Sequence, residues 1–328
     1  TQLGRLERLN AAAGAWYQRM LMDGPAGAQA RAYLESRGIQ QHTTEQFKIG
    51  YAPPEWDGLT KAMLKEGFVA ADLVAAGLSI PRDQNGSQKT AVSGHYDRFR
   101  SRVMFPITDL RKRVVAFGGR VLGDGMPKYM NSPETPLFKK GQTLFALDAA
   151  REAAGQQQTL IIVEGYFDAV ALHQAGIRHV AATLGTALTP DHIIVIRRFA
   201  SNIVLLFDPD QAGVRAALRS LDLFVNSGLS VKVVSLPEGD DPDTYVRQHG
   251  AEGFAALHRT APSLLDFAIE HSLRTAESGS VEDRIRAVDA VLRILQKSAH
   301  PIEREERIRL VAERLGLSQQ RLIDRYPT

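Results

Sequence analysis

Cysteine is absent from all 328 residues. That excludes disulfide bridges and thiolate-bound zinc, and it fits a reducing compartment; a cytoplasmic location is expected. No apolar run approaches the ~20 residues that a membrane-spanning helix needs. Residues 1–30 lack the charged-then-apolar order of a secretory leader. Several chemical signatures are missing too. There is no Gly-x-x-x-x-Gly-Lys-Ser/Thr, hence no phosphate-loop ATPase, and no Gly-x-Gly-x-x-Gly behind a strand. The 9 histidines are scattered, and no two stand at zincin spacing. The chain opens on Thr1 and stops at Thr328, and a piece of a longer protein is expected.

What is present supports a globular molecule. Hydrophobic residues make up 44% of the chain, enough for a large core, and the length suits two or three packed units. Net charge is only +3, but its distribution is uneven. Between Lys89 and Lys140 stand 11 basic residues against 4 acidic ones, a local balance of +7 that suits a polyanion.

The stretch that organises the chain is Thr159–Asp168, TLIIVEGYFD. Leu160–Val163 is a short β-branched-rich run with Gly165 just beyond it, the pattern of a buried parallel strand. Glu164 then falls at the strand's carboxyl end, where open α/β sheets place their sites. Asp168 follows at the start of a helical pattern over 166–174. A second apolar run, Asn202–Phe207, ends in Asp208-Pro209-Asp210. Side chains at i and i+2 of an extended segment point the same way, so these two carboxylates are expected to project together. A third run, Val231–Leu236, precedes Asp240, Asp241 and Asp243. Each piece alone fits a turn or a solvated helix face. Together they gather carboxylates at one end of one sheet, where they repel unless a cation lies among them. Hard divalent ions take such oxygen ligands, and Mg²⁺ in particular combines carboxylates with water and substrate phosphates.

Around this centre the chain reads in three parts. Residues 1–150 are expected to form a basic α+β subdomain. It starts with helices over 3–37, ended by Gly38, in which Trp16, Tyr17 and Met20 share a core-facing stripe. A short strand and loop are expected over 46–56, helices over 59–66 and 70–76, and an exposed loop over 81–93. Residues 97–120 read as an antiparallel hairpin, with Phe99, Val103, Phe105 and Ile107 on one face and Arg98, Arg100 and Arg102 on the other. That arginine row either solubilises the face or tracks a phosphodiester backbone. Gly118-Gly119 marks a turn or a close backbone approach. Residues 128–141 read as a basic loop whose Lys128, Asn131, Lys139 and Lys140 suit triphosphate or template contacts. Residues 151–255 alternate strand and helix, with strands near 159–163, 178–183, 202–207 and 230–236, hence a parallel βαβ sheet. Pro190 suits a helix's first turn. Residues 256–328 read as a helical bundle with no visible chemistry, and Ser280 with Asp283 resembles a capping box.

IIVEGYFDAVAL followed by LLFDPDQAG resembles the TOPRIM domain of primases, topoisomerases and some nucleases. RFRSRVMFPI, FGGRVL, PKYMNSPET, FKKG, the TLGT of 183–186 and DDPDTYV narrow the resemblance to the RNA polymerase domain of bacterial DnaG-type primases, over residues 3 to about 260. The resemblance implies synthesis of short RNA primers on single-stranded DNA from nucleoside triphosphates at a bacterial replication fork, with an RNA–DNA hybrid as product. Glu164, Asp208 and Asp210 would be catalytic. Glu164, Asp168, Asp208, Asp210, Asp241 and Asp243 would hold Mg²⁺, which Mn²⁺ would replace. Arg120, Lys128, Asn131 and Lys140 would line the basic ridge, and Arg98, Arg100 and Arg102 would extend the template path. Neither the family's zinc module nor its helicase-binding domain is expected in this chain, so zinc is not expected; the helicase would be met through an absent domain. A monomer away from membranes is expected. The rival readings are a TOPRIM nuclease or topoisomerase fragment, and a non-catalytic single-strand-binding scaffold.

Overall fold

A computed structural model describes residues 1–82, 94–207, 211–225, 227–277, 280–297 and 300–325. Lys89 and most of the expected loop over 81–93, as well as Asp208 and Asp210, lie outside the described residues.

The first helix, Gln2–Met22, is capped by the Thr1 side chain, which accepts from the Gly4 amide. Its apolar residues recur every three to four positions, and Leu6, Leu9, Ala13, Tyr17 and Leu21 are buried. That stripe packs on an antiparallel sheet of Gly50–Ala52, Arg102–Thr108, Val114–Val121 and Tyr129–Asn131, paired in that order. Tyr17 meets Phe117 edge to face with ring centroids 5.3 Å apart. The expected antiparallel hairpin is present, but the structure corrects its arginine face. Its two long strands are covered on both faces, one by the first helix and the other by the second layer of the fold. The arginine row is not a solvated face throughout: Arg102 is only 4% exposed, while Arg98 and Arg100 are half-buried. The short strand expected within 46–56 is Gly50–Ala52, which starts late because the helix Gln41–Gln46 ends at the first residue of that span.

The second layer is a parallel sheet of Ser230–Ser235, Asn202–Phe207, Thr159–Val163 and Val180–Ala182, in that spatial order. Its period-2 side chains divide between two cores. Ile161, Val163, Val204 and Leu206 join the core shared with the antiparallel sheet, while Leu160, Ile162, Ile203 and Leu205 face the opposite side. The helix Tyr166–Gln174 lies between the two sheets. Seven of its 9 residues are buried, as a helix apolar on all sides requires. This sandwiching fixes the end of the strand Thr159–Val163, and so Glu164, against the basic first subdomain.

The last four helices, Leu264–Glu277, Val281–Gln296, Pro301–Leu315 and Gln319–Arg325, enclose a small core of their own around Val291, Leu292 and Leu295. The Ser280–Asp283 capping box is present, with the Ser280 amide donating to Asp283 at 2.8 Å. Among the described residues no helix is long and apolar enough to cross a membrane. The chain is thus a mixed α/β molecule with a parallel TOPRIM-like sheet at its centre and a helical bundle behind it.

Candidate active site: a cleft of carboxylates and cations

Because all strands of the second sheet are parallel, the loops after them emerge on one edge. Glu164 ends the first of these strands, is exposed, and borders two adjoining depressions. One, of about 360 Å³, is lined by Arg37, Arg120, Lys128, Asn131, Asp168 and Asp241 together with Glu164, Thr183 and Gly185. The other, of about 320 Å³, shares Glu164, Thr183 and Gly185 and continues past Phe207 to Arg219 and Ser220. The first depression therefore joins three of the expected carboxylates to three of the expected ridge residues.

Each wall has a local cause. Asp168 sits one turn into its helix, and its Oδ2 accepts from the Gly165 amide at 3.1 Å. Asp241 caps the helix Pro242–Thr260, its Oδ1 accepting from the Thr244 amide at 2.7 Å. Both carboxylates thus stand at helix N-termini, where exposed amides and the helix dipole favour negative charge. The opposite wall is locked by Tyr166. Its hydroxyl donates to Asn131 Oδ1 at 2.6 Å, and Asn131 Nδ2 donates to the Leu184 carbonyl at 2.6 Å. Tyr166 stacks on Phe105 with centroids 5.0 Å apart, and burial pushes its hydroxyl pKa far up, so it stays a neutral donor. Gly118 is what admits this ring: a Cβ there would lie 2.2 Å from the ring carbon that bears the hydroxyl. Gly119 likewise leaves room for Arg102, whose Cδ would be 2.9 Å from an added Cβ.

Asp243 behaves differently from Asp241. It is fully buried beneath the cleft, 2.7 Å from Arg37 Nη2 and 3.1 Å from Arg247 Nε. Burial pushes its carboxyl pKa up, against the pull of the Arg37 and Arg247 guanidiniums. In a helix, residues two apart are turned about 200° from each other. Because the helix begins at Pro242, Asp241 faces the cleft and Asp243 faces the core. Arg37 bridges the two levels, lining the cleft, pairing with Asp243 and lying over the Phe167 ring at 5.0 Å. Truncating one partner of a buried pair strands the other charge. Arg37→Ala is therefore expected to destabilise the fold by about 3 kcal/mol. Urea denaturation checks this, with Arg37→Ala/Asp243→Asn expected to recover much of the loss.

The other expected contacts are spread out. Arg120 lies over the Tyr129 ring at 5.2 Å and the Tyr33 ring at 5.9 Å, at the mouth of the cleft. Arg102 donates to the Pro127 carbonyl at 2.8 Å and the Gly119 carbonyl at 3.3 Å, holding the 120–128 hairpin rather than facing solvent. Arg100 leans on Trp56 at 4.3 Å and on Tyr96 at 5.3 Å. Arg98 is half-buried, and burial lowers its pKa. Lys139 and Lys140 lie outside the linings of both depressions, on a loop pinned to the neighbouring helix. The Lys140 and Thr143 carbonyls sit 2.9 and 3.2 Å from His192 Nε2, and Thr189 Oγ1 donates to the Gly141 carbonyl at 2.5 Å. Arg37 and Arg219 were not singled out from the sequence, and Tyr129, Tyr166 and Thr183 entered only as members of quoted motifs, with no role of their own. Their places come from pairing across long stretches of chain, which no local pattern reports.

Among the described residues no three carboxylate or imidazole groups converge into a complete metal cage. Glu164, Asp168 and Asp241 nevertheless offer only oxygen donors around one water-accessible hollow, a set that fits a hard divalent ion keeping much of its own water.

Three family models cover most of the chain. Residues 16–151 match the DNA primase catalytic core, N-terminal domain; 161–246 match Toprim-like; and 265–320 match the DnaB-helicase binding domain of primase. The last match corrects the expectation that no helicase-binding region is present. A helical bundle built from apolar periodicity carries no local motif, so the sequence reading had nothing there to recognise. The chain is similar to the DNA primase of Clostridium acetobutylicum, 38% identical over 99% of this chain and 52% of that protein. It thus spans about half the length of the curated relatives it matches. It is also similar to the crystal structure of a DNA primase domain from Pseudomonas aeruginosa, with a TM-score of 0.81, 38% identity, and 97% of this chain and 98% of that one covered. A DnaG primase catalytic domain bound to single-stranded DNA aligns with a TM-score of 0.81 and 35% identity, over 98% of this chain and 99% of that one.

Proposed function

This chain belongs to the DnaG-type bacterial primases as their catalytic core, and on that premise we propose that it synthesises short RNA primers on single-stranded DNA from nucleoside triphosphates. The observation that carries the proposal is the single cleft in which Glu164, Asp168 and Asp241 face Arg37, Arg120, Lys128 and Asn131. Nucleotidyl transfer needs negative groups to hold divalent ions and positive groups to hold phosphates, within reach of one another. Mg²⁺, with Mn²⁺ as substitute, would be held by Glu164, Asp168 and Asp241 with Asp208 and Asp210. When bound, it would neutralise triphosphate charge and acidify the primer 3′-hydroxyl. Asp243, paired with two arginines, supports this set from below through Arg37. Arg120 and Lys128 would hold the triphosphate or the template backbone, and Asn131 would keep the Tyr166–Leu184 bridge in place.

In this reading, residues 1–150 guide template and nucleotide, 151–255 hold the metal, and 256–328 form the bundle whose 265–320 segment would meet the replicative helicase. Incubating the chain with labelled nucleoside triphosphates, Mg²⁺ and a single-stranded template tests the activity. Primer-length RNA is expected. Template shortening would support the nuclease reading, and binding without either product would support the scaffold.

Single-strand binding should depend steeply on salt. With about four phosphates neutralised near the cleft, log K should fall against log salt with a slope of roughly −3, at about −0.7 per contact. Charge reversal of Arg100 and Lys128 together should flatten that slope in a fluorescence-anisotropy titration; an unchanged slope would remove both from the template path.

A further inference from the structure

The molecule has a second cationic concavity. It has a volume of about 450 Å³, and its lining includes Arg8, Gly14, Lys48, Pro106, Lys112 and Arg113. The strand Val114–Val121 carries Val114 at this groove and Arg120 at the carboxylate cleft. Six residues at about 3.3 Å each separate the two by roughly 20 Å. The groove lies against the first helix, and the cleft against the helix Tyr166–Gln174.

Its two lysines occupy backbone positions that favour glycine. Lys48 has φ 51° and Lys112 has φ 63°, both left-handed. The first arises at a helix end. The Ile49 amide donates to the Thr44 carbonyl at 2.9 Å and the Lys48 amide to the Glu45 carbonyl at 3.1 Å, the paired bonds of a helix stop that usually carries glycine at its left-handed residue. The second arises in the hairpin turn, where the Lys112 amide donates to the Asp109 carbonyl at 2.8 Å and the Asp109 amide to the Arg113 carbonyl at 2.9 Å. Such turns also take glycine at their left-handed position. Two unrelated motifs, 64 positions apart in sequence, thus each put a lysine in a glycine slot on the rim of one hollow.

Among the described residues Arg113 is the paired cation of this groove, through Asp109 at 2.6 Å and Glu7 of the lining at 2.5 Å. Among the described residues the side chains of Arg8, Lys48 and Lys112 have no ion-pair or hydrogen-bond partner. The floor between them is small or apolar, with Ala11, Gly14, Ala15, Pro106 and Val114. We propose that this groove binds phosphate esters, with Arg8, Lys48 and Lys112 as a cationic clamp separate from the catalytic cleft. The chemistry suits either the phosphodiester backbone of a strand or the polyphosphate of a nucleotide.

The test is the intact chain against Lys48→Gly/Lys112→Gly, which removes both charges and gives each backbone position its favoured residue. Its Tm should equal or exceed that of the parent. Labelled dT16 is titrated over a salt series, and inorganic tripolyphosphate by calorimetry. If the groove holds a strand, the dT16 slope becomes shallower by about 1.4, at roughly 0.7 per lost contact. If it holds a nucleotide's phosphates, the tripolyphosphate stoichiometry falls by one site with the dT16 slope unchanged. Neither change in a folded variant overturns the proposal. Should the glycine pair lower Tm, Arg8→Gln, on an exposed helical position, is read by the same two titrations. A dT16 slope shallower by about 0.7 for its one lost contact, or a lost tripolyphosphate site, is then the expected result, and the absence of both overturns the proposal.

Discussion

Glu164→Gln should reduce RNA synthesis about a thousandfold or more while leaving the fold intact. The side chain is exposed at a strand end and borders both depressions, so its charge serves the site rather than the core. Glutamine keeps the size and one carbonyl oxygen but removes the negative charge that, on the proposed function, would anchor a divalent ion. A thousandfold corresponds to about 4 kcal/mol of transition-state stabilisation, a reasonable size for loss of a metal-anchoring group. Without metal, thermal stability should hold or rise slightly, because one member of a like-charged cluster is gone. Rates come from length-resolved primer synthesis and stability from a thermal melt. Near-normal synthesis by the variant would remove Glu164 from the chemistry.

Gly118→Ala should destabilise the antiparallel sheet strongly. The added Cβ would sit 2.2 to 2.6 Å from three atoms of the Tyr166 ring end. That ring has nowhere to go. It stacks on Phe105 and meets Phe145 edge to face at 4.9 Å, and its hydroxyl is held by Asn131. Overpacking a close-packed core commonly costs 1–3 kcal/mol, and about 3 kcal/mol or more is expected where the neighbour is this rigid. The damage should reach the site as well, since displacing Tyr166 breaks the Asn131–Leu184 bridge that forms one wall. Tyr166→Phe in the Gly118→Ala background should recover part of the stability but not the wall. Chemical denaturation of the parent and the two variants checks the ordering, and a Gly118→Ala protein as stable as the parent would refute it.

The parts of this molecule that were legible in sequence are those written by local pattern. Leu160–Val163 and Asn202–Phe207 read as buried parallel strands because they are short, β-branched and unbroken, and the structure pairs them side by side. Glu164 was placed at a strand end by the same logic. What failed was any inference that needed to know what covers a surface. The arginines of 98–102 alternate with apolar residues as an exposed hairpin face would. The first helix and the TOPRIM helix close over both faces, and Arg102 turns its guanidinium to backbone carbonyls instead. Asp241 and Asp243 look equivalent in sequence, and only the onset of the helix at Pro242 separates them. The Arg37–Asp243 pair joins residues 206 positions apart, and no spacing rule reaches that far.

The central claim is that divalent metal and triphosphate meet in the cleft bordered by Glu164. Its most direct test replaces Mg²⁺ by Fe²⁺ in the intact chain and maps oxidative backbone cuts after adding ascorbate and peroxide, since the same oxygen ligands accept either ion. Cuts are expected in the segments around 164–168, 208–210 and 241, strengthened by a nucleoside triphosphate and suppressed in Glu164→Gln. Cuts confined to other segments, or an unchanged pattern in Glu164→Gln, would contradict the account.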